Sequence, residues 1–141
     1  MPARATEHDW ATLIHADRVH GSLYHDPAIF ALELERIWYR TWVYVGHESE
    51  IPRPHDFVLK SVGQQEIIMS RGADGRVYLL QNRCPHRGNQ VCLSARGHRR
   101  TFTCPFHAWS FGSDGALHGV AFADGYADLE QRRGDLGLGR L

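Results

Sequence analysis

Residues Cys84 to Trp109 read CPHRGNQVCLSARGHRRTFTCPFHAW, and the rest of the chain is interpreted from this stretch. It opens on Cys-x-His (Cys84, His86) and closes on Cys-x-x-His (Cys104, His107). Each end offers one soft thiolate and one imidazole, so the two ends together supply two sulfur and two nitrogen donors. Zinc and iron–sulfur centres both accept such a set. A zinc finger usually draws two cysteines from one turn and two histidines from a helix. Here each end is mixed, and a single ion would need a less usual pairing.

Mixed ends suit a two-iron, two-sulfide cluster whose irons carry different ligands, Cys84 and Cys104 on the inner iron and His86 and His107 on the outer one. The stretch resembles the Rieske motif, C-x-H-R-G before a spacer and C-P-x-H-x-W after it. Exchanging two anionic thiolates for neutral imidazoles makes a cluster less negative and easier to reduce. Rieske centres accordingly lie at roughly −150 to +300 mV, against about −400 mV for plant-type ferredoxins. Pro85, Gly88 and Pro105 suit tight loops whose backbone N–H groups approach the sulfurs. Trp109 is expected to act both as a core aromatic and as a lid against water.

Composition narrows the class. At 141 residues the chain is one domain of ordinary size. A hydrophobic content of 43% with 11% aromatics excludes disorder. The formal net charge is zero, which gives no global attraction to nucleic acid or to a membrane surface. No apolar run approaches the roughly 18 residues of a spanning helix, and the first residues lack the apolar block of a secretory signal. A cytoplasmic protein is expected. Of the three cysteines, Cys92 is left over and reads as a small buried hydrophobe.

Along the chain, residues 1–25 are a polar lead-in with His8, His15, His20 and His25, expected to be solvated. His15 and His20 form H-x4-H, but five residues of regular helix turn two side chains off a common face. Asp26 and Pro27 then signal a helix start. Phe30, Leu34, Ile37, Trp38 and Trp42 recur at three- and four-residue steps, an amphipathic helix over 26–42 that packs this stripe on the domain. β-rich runs follow at Trp42–Val45, Phe57–Val62, Glu66–Ser70, Val77–Gln81, Arg100–Thr103, Trp109–Phe111 and Ala116–His118, with turn signals at 73–75 and 113–115. A further helical piece is expected at Ala127–Arg133. The fold class is mainly β: an antiparallel β-sandwich of Rieske type over 43–123, a cluster-binding subdomain of two loops, and one N-terminal helix.

Between Asp74 and Asp114 the sequence holds no acidic residue but contains Arg76, Arg83, Arg87, Arg96, Arg99 and Arg100. The cluster half is therefore locally basic, a candidate docking rim for an acidic electron donor or a neighbouring subunit.

The stretch Asp26 to Phe57, DPAIFALELERIWYRTWVYVGHESEIPRPHDF, extends the resemblance. It is similar to the segment preceding the cluster in α subunits of aromatic-ring-hydroxylating dioxygenases, in the pattern D-P-x-I-F, T-W, V-G-H-x-S-x-I-P and D-F. Neither cluster loop carries the extra cysteine of respiratory Rieske proteins, since Arg87 and Gly88 follow His86 and Phe106 precedes His107. The resemblance implies electrons arriving from a flavin-containing reductase, directly or through a ferredoxin. It implies their relay to a mononuclear non-haem iron that activates dioxygen for ring hydroxylation in aromatic hydrocarbon catabolism. It also implies neighbouring α subunits, as α3 or α3β3, with His107 facing a carboxylate of the next subunit. The two-histidine, one-carboxylate iron site of that family is expected beyond this sequence, with 124–141 as the start of the connection to it. A stand-alone Rieske-type ferredoxin is the alternative, and structural zinc binding is a third reading.

Overall fold

The computed structural model describes residues 9–141, so His8 lies outside the described residues. The chain divides into two compact units, Met1–Val43 and Tyr44–Leu141.

In the first unit, α1 (Trp10–Leu13) starts at Asp9, whose carboxylate accepts from the Ala11 N–H at 3.2 Å. Helix α2 (Pro27–Glu33) starts where expected, with the Asp26 carboxylate accepting from the Ala28 N–H at 2.8 Å and proline in the first turn. It ends sooner than the expected 26–42. Leu34–Trp38 is a π-helical turn, closed by the Tyr39 N–H on the Leu34 carbonyl. The wider turn breaks the three-and-four spacing on which the aromatic stripe depends. Ile29 and Leu34 are buried, whereas Phe30, Ile37 and Trp38 are exposed and Trp42 is fully so. Of the five residues of the expected stripe only Leu34 is buried, together with Ile29, which the stripe did not include. His15, His20 and His25 are exposed, as expected.

The second unit holds two antiparallel sheets. Strands β1 (Asp56–Val62), β2 (Gln65–Arg71), β3 (Val77–Gln81) and β4 (Arg96–His98) pair in the order β3-β2-β1-β4. Strands β5 (Thr101–Thr103), β6 (Ser110–Gly112) and β7 (Leu117–Gly119) form a three-stranded meander. The expected strand at Trp42–Val45 is absent; that segment has no ladder pairing. Strand β4 adds to the edge of β1, with Gly97 opposite Phe57. A Cβ at 97 would sit 2.9 Å from the Phe57 ring, so glycine permits this close approach.

Alternation of side chains sorts the core into two faces. Phe57 and Ile68 point into the main core with Leu80, Phe102, Phe111 and Trp109, and Phe57 meets Phe102 edge-on at 5.2 Å. Their neighbours Val58 and Met69 point the other way and pack with Ile51. The sheets are also joined by polar contacts: Ser70 Oγ donates to the Ser113 carbonyl at 2.5 Å, and His55 Nδ1 meets Ser113 Oγ at 3.0 Å. Beyond residue 123 the chain stays with the core. Helix α3 is confined to Leu129–Arg132 of the helix expected at Ala127–Arg133, and a 3₁₀ turn continues from it. Leu129 and Leu138 are buried in the main core. Residues 139–141 bond the edge of β3, Gln81 N–H to the Gly139 carbonyl at 2.8 Å and Leu141 N–H to the Leu79 carbonyl at 3.0 Å.

Candidate metal centre

The two ends of the opening stretch are one turn built twice. At Cys84 the backbone N–H bonds the Asn89 carbonyl and the carbonyl accepts from the Gly88 N–H, both at 2.8 Å. At Cys104 the N–H bonds the Trp109 carbonyl at 2.8 Å and the carbonyl accepts from the Ala108 N–H at 3.0 Å. In both, proline follows the cysteine, and the fourth residue after it takes a left-handed conformation, φ 73° at Gly88 and 56° at Ala108. The first turn hangs between β3 and β4, the second between β5 and β6.

This frame places both thiols inside and both imidazoles toward the surface. Cys84 and Cys104 are each 2% exposed and belong to the main core, while His86 and His107 are half-buried. Both thiols belong to one buried cluster. Burial pushes the Cys84 thiol up from its ordinary pKa and the adjacent Cys104 adds to this, while N–H donation from His86 and Arg87 pulls the other way. The imidazole rings are 4.6 Å apart. Burial pushes the His86 pKa down, and so do the neighbouring His107 and Arg87, which favours the neutral ring that a metal requires.

Trp109 is the core aromatic expected. It is 3% exposed, and its indole stacks on the His86 ring at 4.9 Å and 4°. Phe106, exposed, lies 3.9 Å from the His107 ring. Cys92 is fully buried with its thiol on the Ser94 carbonyl, a core residue as expected. The six arginines are all exposed. Arg83 lies over Gly88, where a Cβ would meet its guanidinium at 3.1 Å.

Two residues escape sequence reasoning. Asn82 is buried and ties the first turn to the segment after it: its Oδ1 accepts from Val91 and Cys92 at 3.1 and 2.8 Å, and its Nδ2 donates to the Cys92 carbonyl at 2.7 Å. Its position two residues before Cys84 is the only sequence signal. The other is Tyr126, whose hydroxyl lies 3.4 Å from His86 Nε2.

The donors fit a two-iron cluster. They form an inner sulfur pair and an outer nitrogen pair. Among the described residues no helix is long and apolar enough to cross a membrane.

Comparison with known proteins agrees with the geometry. Residues 41–129 match the model of the Rieske [2Fe-2S] domain. The chain is 39% identical over 125 residues to the anthranilate 1,2-dioxygenase large subunit of Acinetobacter baylyi, covering 88% of this chain and 26% of that protein. It is 33% identical over 119 residues to benzene 1,2-dioxygenase subunit α of Pseudomonas putida, covering 84% and 26%. Naphthalene 1,2-dioxygenase from Rhodococcus sp. superposes with a TM-score of 0.79 at 33% identity, over 86% of this chain and 28% of that one. The chain thus spans about a quarter of the length of these relatives. With its paired turns, two sheets and sequence in accord, the chain belongs to the Rieske [2Fe-2S] domain family and is homologous to the N-terminal region of aromatic-ring-hydroxylating dioxygenase α subunits.

Proposed function

We propose that the chain is the electron-relay domain of a ring-hydroxylating oxygenase α subunit, with Cys84 and Cys104 on one iron of the cluster and His86 and His107 on the other. The observation that carries this reading is the pairing of two buried thiols with two adjacent, half-buried imidazoles on two copies of one turn. When bound, the cluster supplies one-electron storage at roughly −150 to +300 mV. The chain's own residues set the conditions. The N–H groups of His86 and Arg87 offset negative charge on the Cys84 sulfur. Trp109 and the core exclude water from the inner side, and the two histidines leave an outward path for electrons.

The donor is a flavin-containing reductase, directly or through a ferredoxin, and exposed Arg83 and Arg87 beside the first turn provide a positive rim for an acidic partner. The acceptor is a mononuclear non-haem iron in the part of the relatives' length that this chain does not span, reached in a neighbouring α subunit of an α3 or α3β3 assembly. The relatives' names point to an aromatic substrate.

Two measurements test the proposal. The anaerobically purified protein contains two irons and two acid-labile sulfides per chain and gives a rhombic EPR signal on reduction. In it, His86→Cys or His107→Cys lowers the potential, because a thiolate adds negative charge. A colourless protein holding one zinc per chain would refute the reading. Separately, the rate of reduction by an acidic donor falls as ionic strength rises. A flat dependence removes the docking rim.

A further inference from the structure

We infer that Tyr126 is a positioning residue for the outer side of the centre, its hydroxyl oxygen accepting a hydrogen bond from His86 Nε2 and so setting how strongly that ring donates to iron. The inference rests on the proposal that His86 is an iron ligand.

His86 is enclosed by three rings. Trp109 stacks on its face, His107 stands edge-on at 4.6 Å, and Tyr126 stands edge-on at 5.8 Å and 77°. Tyr126 also meets Trp109 edge-on at 5.6 Å, so its ring is braced against the aromatic that carries His86. Its backbone N–H closes a turn on the Ala123 carbonyl at 3.0 Å, and buried Leu129 anchors the chain three residues later. Pro85, His86, Trp109, Tyr126, Leu129 and Leu136 line a cleft of ≈ 220 Å³ here. The contact between phenol and imidazole, 3.4 Å, lies just outside the usual range of roughly 2.7–3.2 Å for N–H···O, so the bond is a weak one.

The nitrogen that faces Tyr126 is Nε2, which leaves Nδ1 for a metal. A neutral imidazole bound through one nitrogen carries its proton on the other, so Nε2–H is the donor and the phenol oxygen the acceptor. An acceptor on the outer N–H makes a histidine ligand more basic. A more basic ligand favours the oxidised, electron-poorer cluster. Within this chain the ring beside His107 is Phe106, which has no hydroxyl.

The test is Tyr126→Phe in the cluster-loaded protein, which keeps the ring contacts and removes the acceptor. Iron, sulfide and the rhombic signal are measured first in the unaltered protein; their absence there overturns the iron-ligand proposal and this inference with it. With the cluster present, Tyr126→Phe retains it and raises the reduction potential. The expected change is several-fold in the reduction equilibrium constant, where tenfold corresponds to about 59 mV for one electron. An unchanged or lowered potential overturns the role of Tyr126 alone and leaves the cluster reading standing. Should the variant fail to load, 3-fluorotyrosine at 126 is measured at a pH that keeps the phenol protonated. Its poorer acceptor oxygen raises the potential in an otherwise unaltered site, and no rise overturns the inference.

Discussion

Cys84–Asn89 and Cys104–Trp109 share a backbone but are held in place by different physics. In both, the cysteine closes the turn with its own N–H and carbonyl, which fixes the sulfur. The histidine comes two residues after the cysteine in the first turn and three after it in the second. Residue 89 is a half-buried asparagine, whereas residue 109 is a buried tryptophan. The second turn is therefore secured by burying a large aromatic in the main core. The first has no such anchor and relies on Asn82, whose side chain makes three hydrogen bonds to the backbone of Val91 and Cys92. A shared backbone thus does not imply a shared source of stability.

This contrast predicts an order of effects in urea denaturation of the loaded protein. Trp109→Ala opens a cavity in the core and costs about 3–5 kcal/mol. Asn82→Ala leaves the buried N–H groups of Val91 and Cys92 without their acceptor and costs about 1–3 kcal/mol. Asn89→Ala loses only a contact with the Gln90 carbonyl, and its effect stays below about 1.5 kcal/mol. If Asn82→Ala proves as damaging as Trp109→Ala, burial and hydrogen bonding do not divide the two turns as described.

What was legible in the sequence follows the same division. Cysteine, histidine and proline act through short-range chemistry, so their spacing alone announced the two turns and the donor set that the structure brings together. Most strands with β-branched and aromatic residues were equally legible, although the similar run Trp42–Val45 forms none. Strand β4 was not, because Arg-Gly-His carries no β signal and is a strand only because Gly97 lets it lie against Phe57. The aromatic stripe misled because the expectation of burial assumed 3.6 residues per turn, and the π-helical turn at Leu34–Trp38 does not keep that period. Tyr126 was invisible for a different reason: its contact with His86 joins residues 40 apart in sequence, through a turn with no periodic pattern.

The left-handed residues give the most discriminating effects, because they predict opposite signs at equivalent positions. Gly88 adopts φ 73° without penalty, and Arg83 lies where a Cβ would go. Gly88→Ala adds left-handed strain and displaces that guanidinium, a loss of about 1–2 kcal/mol. Ala108 already bears such strain at φ 56°. Ala108→Gly relieves it, but glycine frees the unfolded chain by about 0.4–1 kcal/mol, so the net gain stays below about 1.6 kcal/mol. Denaturation midpoints of the two variants should therefore move in opposite directions, down for Gly88→Ala and slightly up for Ala108→Gly. Movement in the same direction would show that the fourth residue does different work in the two turns, and the backbone equivalence would then be one of shape alone.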